Sequence, residues 1–253
     1  MDNYTIDLNC DMGESYGRYT IGNDAAIFPY ITSCNIACGY HGGDPMHIEK
    51  TIQLALENNV QIGAHPSYPD LMGFGRRKME IPLNELSSIV KYQVAALKGL
   101  TESHGGRLAY VKPHGALYNS LSKNEEEATC VIKAILSIDQ KLAIMGLAGS
   151  LVKKIVENHG GRFIAEAFAD RRYEANGHLM SRRKAGAVLH EPAVIAQQVL
   201  DIIKHNRVEG PDGQPISLSA DSICIHGDNP KAVPILAHLH HALQEAGVQK
   251  VSF

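Results

Sequence analysis

Ionisable side chains recur in this sequence just after short apolar runs. They are Asp11 with Glu14, His41, His65, Lys112 with His114, Glu166 with Asp170, and His226 with Asp228. Carboxylates beside neutral imidazoles suit a divalent metal ion, and equally suit general acid–base work. Burying so many charges is costly unless function retains them, so their convergence would mark an active site. A cluster this acidic repels anionic substrates, and Lys112, Arg76, Arg77, Arg171 or a metal would offset it. Lys112 stands two residues before His114 and so shares its face if both lie on a strand. The turns Gly42-Gly43-Asp44 and Gly146 to Ser150 both open helices. Their free amides could take phosphate or carboxylate oxygens, which makes Gly146 and Ser150 candidates for anion binding.

These positions make sense only if the apolar runs are strands of one sheet. In Ile6-Asp7-Leu8-Asn9-Cys10-Asp11 apolar and polar residues alternate, so the two sets leave opposite faces. Six further strands are expected at 33–38, 60–65, 108–112, 142–145, 163–167 and 222–225. Helical periodicity separates them. Asp44-Pro45 starts one helix as N-cap and first-turn proline, and Leu86, Ile89, Val90, Val94 and Leu97 give another an apolar face. Ser122 with Glu125 reads as a capping box for a helix to about residue 137. A polar loop spans Asp170 to Arg183, a helix runs from Pro192 to Lys204, and His226-Gly227-Asp228-Asn229-Pro230 leads into the last helix. The repeated His-Gly-Gly-Arg at 104–107 and 159–162 reads as a helix end, and His238, His240 and His241 as a solvated helix face.

Strand–helix alternation implies a parallel sheet. A closed (β/α) barrel is expected ahead of an open doubly wound sheet, because no GxGxxG follows the first strand and GxxxxGK[ST] is absent. In either architecture the carboxyl ends of the strands carry function.

Composition fits one α/β domain over residues 1–253: 44% hydrophobic, 20% charged, formal net charge −3. No basic run suggests nucleic acid, and no stretch of ~18 apolar residues suggests a membrane span. The five cysteines include no CxxC pair, which fits reduced packing residues of a cytoplasmic protein.

The series DLNCDMGE, NIACGYHGGDP, IGAHPSYPD with GFGRR, VKPHGALYN, EAFADRRY and HGDNP closely resembles the LamB/YcsF family, in order and across essentially the whole chain. The resemblance implies a seven-stranded distorted (β/α) barrel of the glycoside hydrolase/deacetylase type. It also implies the role of the A subunit of an ATP-dependent 5-oxoprolinase, opening 5-oxo-L-proline to L-glutamate with partner subunits B and C. ATP and a divalent cation, Mg²⁺ by expectation, follow as cofactors. On that reading Lys112 and the Arg76-Arg77 loop hold anionic groups, Asp11 and Glu14 hold Mg²⁺ on ATP, and His65, His114 or His226 is the base. Replacing Lys112 or His114 by Ala is expected to stop turnover without unfolding the chain. A stand-alone metal-dependent amidohydrolase or carbohydrate deacetylase, and a non-catalytic substrate-binding subunit, are the alternatives.

Overall fold

The computed structural model describes residues 4–182, 184–229 and 231–253; Arg183 of the expected loop and Pro230 of the expected cap lie outside them. The elements run β1 (Tyr4–Met12), α1 (Asp24–Ile27), β2 (Ser33–Ala37), α2 (Pro45–Glu57), β3 (Gln61–His65), α3 (Leu83–Ser103), β4 (Leu108–Val111), α4 (Gly115–Leu121) and α5 (Glu125–Leu136). They continue with β5 (Ala143–Leu147), α6 (Val152–Asn158), β6 (Phe163–Phe168), α7 (Pro192–His205), β7 (Arg207–Glu209), β8 (Pro215–Ser217), β9 (Ser222–Ile225), α8 (Ala232–Glu245) and β10 (Val248–Lys250).

The seven expected strands are β1 to β6 and β9, and they close. Sheet order is β1-β2-β3-β4-β5-β6-β9, with β9 returning to β1 in parallel register from Asp7↔Ser222 to Cys10↔Ile225. Closure removes both sheet edges. The helices pack outside through the faces their apolar spacing dictates: α2 buries Ile48, Ile52 and Ala55, and α3 buries Leu86, Val90, Val94 and Leu97. Each large apolar side chain among them contributes about 1.5–3 kcal/mol by leaving water. The Asp44 carboxylate caps α2, accepting from the amides of Met46 (2.9 Å) and His47 (3.1 Å).

The structure differs from expectation in four places. α4 fills the stretch between the fourth strand and the expected capping box, where no element is expected. Ser122 then closes α4 rather than opening α5, and Asn124 caps α5 by accepting from the Glu127 amide at 3.1 Å. β7 and β8 form an antiparallel hairpin about the Pro211-Asp212-Gly213 turn. β10 adds in parallel to the amino-terminal half of β1.

The barrel interior is polar in layers. Asp7 accepts from Thr32 (2.6 Å), Ser33 (2.7 Å) and Ser222. One step higher Asn35 donates to Asn9 (2.7 Å), and Tyr110 donates to Asn35 (2.7 Å). Below, Tyr110, Ala143, Met145 and Ile164 form an apolar cluster against which Phe253 packs. The polar set of β1 therefore faces inward, with hydroxyls and amides satisfying what burial would otherwise orphan.

Candidate active site at the carboxyl end of the barrel

The top layer is organised around Lys112, just beyond β4 and only 2% exposed. Its ammonium lies 2.9 Å from Asp11 Oδ1 and 2.7 Å from Glu166 Oε1, with Asn9 Oδ1 at 3.2 Å and Cys224 Sγ at 3.1 Å. Burial opposes the ammonium charge, but Asp11, Cys224 and Glu166 outweigh it and hold Lys112 well above the usual lysine range. Asp11 shows the reciprocal balance. Burial pushes its carboxyl up, yet His65 and Lys112 prevail and keep it well below the carboxylate range. Asn35 also donates to Asp11 Oδ1 at 2.8 Å.

Beside this layer the ends of the first four strands bring Glu14, His41, His65 and His114 together, all buried. Glu14 Oε1 lies 3.2 Å from His41 Nε2 and 3.7 Å from His114 Nδ1. His114 Nδ1 lies 3.0 Å from His65 Nε2, which is 3.3 Å from Asp11 Oδ2. Two ring nitrogens are anchored outward, His65 Nδ1 on the Lys112 carbonyl (2.6 Å) and His114 Nε2 on the Phe74 carbonyl (2.9 Å). Phe74 is held at φ 54°, a left-handed conformation uncommon for an aromatic residue. Gly75 follows at φ 61°, where a Cβ would press on His114 and His41. The strained pair aims one carbonyl at one imidazole. Burial, reinforced by the neighbouring imidazoles, pulls His41 and His114 well below the usual histidine range. Burial together with Asp11 raises the Glu14 carboxyl well above its own.

Across the barrel mouth, His226 Nδ1 lies 2.9 and 3.0 Å from the two Asp170 oxygens. Burial acts upward on Asp170, but His226 outweighs it and holds the carboxyl below its ordinary value. A carboxylate accepting from Nδ1–H leaves Nε2 as the basic nitrogen. Asp11, His65, Lys112, His114 and His226 all line one cavity of about 480 Å³, within the usual range for small-molecule sites. Its rim carries Arg76, Lys123, Arg171 and Arg182 against Glu174. Buried Arg171 donates to the Met180 carbonyl (2.6 Å), while its Nε has no protein partner among the described residues. Burial and the Arg182 charge pull Arg171 down to about 10, so it stays cationic at neutral pH. Guanidinium groups converging in this way favour an anion between them.

The expected residues are thus only partly assembled. Asp11, Lys112 and Glu166 share one group, His41, His65, His114 and Glu14 a second that joins it where His65 Nε2 meets Asp11 Oδ2 at 3.3 Å, and His226 with Asp170 a third. Asp11 does not pair with Glu14 in the manner expected of a two-carboxylate metal site, because Lys112 and Asn35 engage its Oδ1. Asp228 sits at the rim in an ion pair with Arg76 at 2.6 Å. Arg77 is largely exposed and bound to Asp70, so it pins its own loop rather than facing the cavity. Gly146 lies inside β5, packed near Phe163 and Val152, and Ser150 precedes the seven-residue α6; neither lines the cavity. Lys123 and Arg182 were not anticipated. The basic loop after β6, with Arg171, Arg172 and Arg182 around an Asn-Gly turn, is the signal that points to Arg182.

The fold and site define a (β/α) barrel with an acid–imidazole centre at its carboxyl end. The Streptomyces lividans family 4 carbohydrate esterase shares the fold, with a TM-score of 0.51 at 10% identity over 98% of this chain and 92% of that one. The LamB/YcsF family model matches residues 6–253, and the chain belongs to that family. It is 48% identical over 244 residues to the 5-oxoprolinase A subunit of Pyrococcus furiosus, covering 96% of each. The crystal structure of a lactam utilization protein from Thermus thermophilus superposes with a TM-score of 0.94 at 38% identity, covering 98% of this chain and 100% of that one. No helix among the described residues is long and apolar enough to cross a membrane.

Proposed function

We propose that this chain is the A subunit of a cytoplasmic 5-oxoprolinase, opening the lactam ring of 5-oxo-L-proline to L-glutamate at the expense of ATP, together with subunits B and C. The observation carrying this reading is the full-length match to a 5-oxoprolinase A subunit, joined to a cavity that pairs a basic imidazole with a cationic rim. A lactam is a poor electrophile. Transfer of the γ-phosphoryl group to its carbonyl oxygen, releasing ADP, activates the carbonyl carbon towards water. Water adds there, the ring C–N bond breaks, and the amine takes a proton to leave γ-glutamyl phosphate; a second water yields glutamate and phosphate. Arg171, Arg182 and Lys123 suit the substrate carboxylate and the phosphates, and the Mg²⁺ expected with ATP would travel with the nucleotide. His226, oriented by Asp170, suits the role of base for water. His65 and His114 suit it less, because each has one ring nitrogen tied to a carbonyl and the other turned towards its neighbour.

The test is ATP cleavage dependent on 5-oxo-L-proline, measured with this chain alone and then with subunits B and C. Stimulation by 5-oxoproline in the reconstituted mixture is expected. Absence of stimulation in every combination would overturn the reading, and hydrolysis without ATP would favour a stand-alone amidohydrolase.

A further inference from the structure

We propose that Glu14, His41, His65 and His114 form a binding site for a single borderline divalent transition-metal ion of the Zn²⁺ class, distinct from any Mg²⁺ carried by a nucleotide. The argument begins with lone pairs. His65 spends its Nδ1–H on the Lys112 carbonyl and His114 spends its Nε2–H on the Phe74 carbonyl. With those protons placed, His65 Nε2 and His114 Nδ1 face each other at 3.0 Å, and His65 Nε2 also faces Asp11 Oδ2 at 3.3 Å. Two acceptor nitrogens and a carboxylate oxygen at these separations repel unless a cation, a proton or a metal ion, lies between them. Glu14 Oε1 points to the same place from the other side, 3.7 Å from His114 Nδ1 and 3.2 Å from His41 Nε2.

One ligand atom from each of the four residues falls within 4.8 Å of the others. A metal about 2.0–2.1 Å from each donor separates its ligands by roughly 3–3.5 Å, close to the 3.0, 3.2 and 3.7 Å of the His65–His114, Glu14–His41 and Glu14–His114 pairs. His41 Nδ1 has no hydrogen-bond partner among the described residues, and its ring stacks on His114 at 3.7 Å and 2°, so one ring must tilt for both in-plane lone pairs to meet one ion. Carbonyls fixing the far nitrogen of a ligating imidazole are the usual outer support of a metal site. The strain at Phe74 gains a purpose here, since it delivers one of those carbonyls.

Three imidazoles and one carboxylate suit zinc, iron, cobalt or nickel better than the oxygen-preferring Mg²⁺ or Ca²⁺. His65 and His114 also line the cavity, whereas Glu14 and His41 do not. An ion held by all four residues would have a closed set of protein ligands, as structural zinc sites do, with His65 and His114 forming its cavity side. The site stands independently of ATP cleavage, because binding is read without substrate or nucleotide.

Purified, chelator-treated protein is titrated with Co²⁺ and with Zn²⁺, following bound metal by elemental analysis and Co²⁺ by its visible spectrum. About one equivalent of either ion per chain is expected, with a Co²⁺ spectrum showing nitrogen ligation that excess Mg²⁺ leaves intact. His65→Gln and His114→Gln should abolish it, while Lys204→Gln on an outer helix should bind like the parent. If a histidine variant fails to fold, the imidazole proton resonances of the parent decide, because Co²⁺ must shift those of His41, His65 and His114. Failure of the parent to bind, displacement by Mg²⁺, full binding by folded histidine variants, or unshifted imidazoles would each overturn the proposal.

Discussion

At the scale of single residues, Lys112 separates a catalytic from a structural reading. Its ammonium is buried between Asp11 and Glu166, so deleting it leaves two carboxylates in the barrel without their cation. Breaking a buried ion pair from one side costs about 3–5 kcal/mol. The expectation of lost turnover without unfolding therefore changes: Lys112→Ala should lower the unfolding free energy by an amount of that order, read as a lower urea midpoint. Adding Glu166→Gln should recover part of it, since the two changes act on one network. A midpoint unchanged from the parent would show that the ammonium contributes nothing net to stability. The Asp170–His226 pair behaves differently because it lies at the cavity edge. Asp170→Asn replaces the carboxylate by an amide that can also donate to Nδ1, so the imidazole tautomer is no longer fixed, and should reduce kcat by about 10²-fold or more with KM little changed. An unaltered kcat would remove His226 from the role of base.

At the scale of elements, the first turn of α2 ties the loop after β1 to the barrel. Asp44 caps the helix with Oδ1, and Oδ2 accepts from the Gly17 amide at 2.6 Å. Partial burial pushes its carboxyl up, but the Gly17 amide, the His47 ring and the helix amides prevail and bring it to about 2. A depressed carboxyl adds stability above its unfolded value of 3.8 and loses it as pH falls through about 2. Asp44→Ala should thus cost about 1–2 kcal/mol at neutral pH, with the gap in thermal midpoint from the parent closing as pH falls from 3.8 to about 2. Gly63 in β3 makes a steric counterpart. A Cβ there would overlap the Tyr110 ring inside the barrel, so Gly63→Ala should cost about 1–3 kcal/mol, read from the same melts. The seven barrel strands were legible in the sequence because each is a short apolar or alternating run, and all but β5 end at an ionisable side chain. β10 was not, since Val248-Gln249-Lys250 has no strand pattern of its own and is ordered by pairing with β1. The site shows the same limit. Its residues were visible as strand ends, but their division into three groups depends on contacts such as His114 with Phe74, 40 positions apart.

At the scale of the whole molecule, the barrel separates its two ends by task, as parallel α/β barrels generally do. The carboxyl end holds the ionisable clusters and the cavity, where buried charge and a strained loop oppose stability. The amino end carries none of them. There β10 extends β1, and Phe253 packs edge-on against Tyr110 with ring centroids 5.1 Å apart, closing the apolar cluster beneath the polar layers. Arg162 lies over the same Phe253 ring at 5.7 Å. The half-buried Phe253 contributes less than a fully enclosed phenylalanine, whose truncation costs about 3–5 kcal/mol. Phe253→Ala should therefore lose roughly 1–2 kcal/mol of unfolding free energy, seen as a lower urea midpoint with an unchanged slope. Metal stoichiometry and turnover per folded chain should stay at parental values, because the affected cluster lies below the Tyr110–Asn35–Asn9 layer that supports the site. A fall in turnover at unchanged stability would show instead that the bottom of the barrel communicates with the site through that layer.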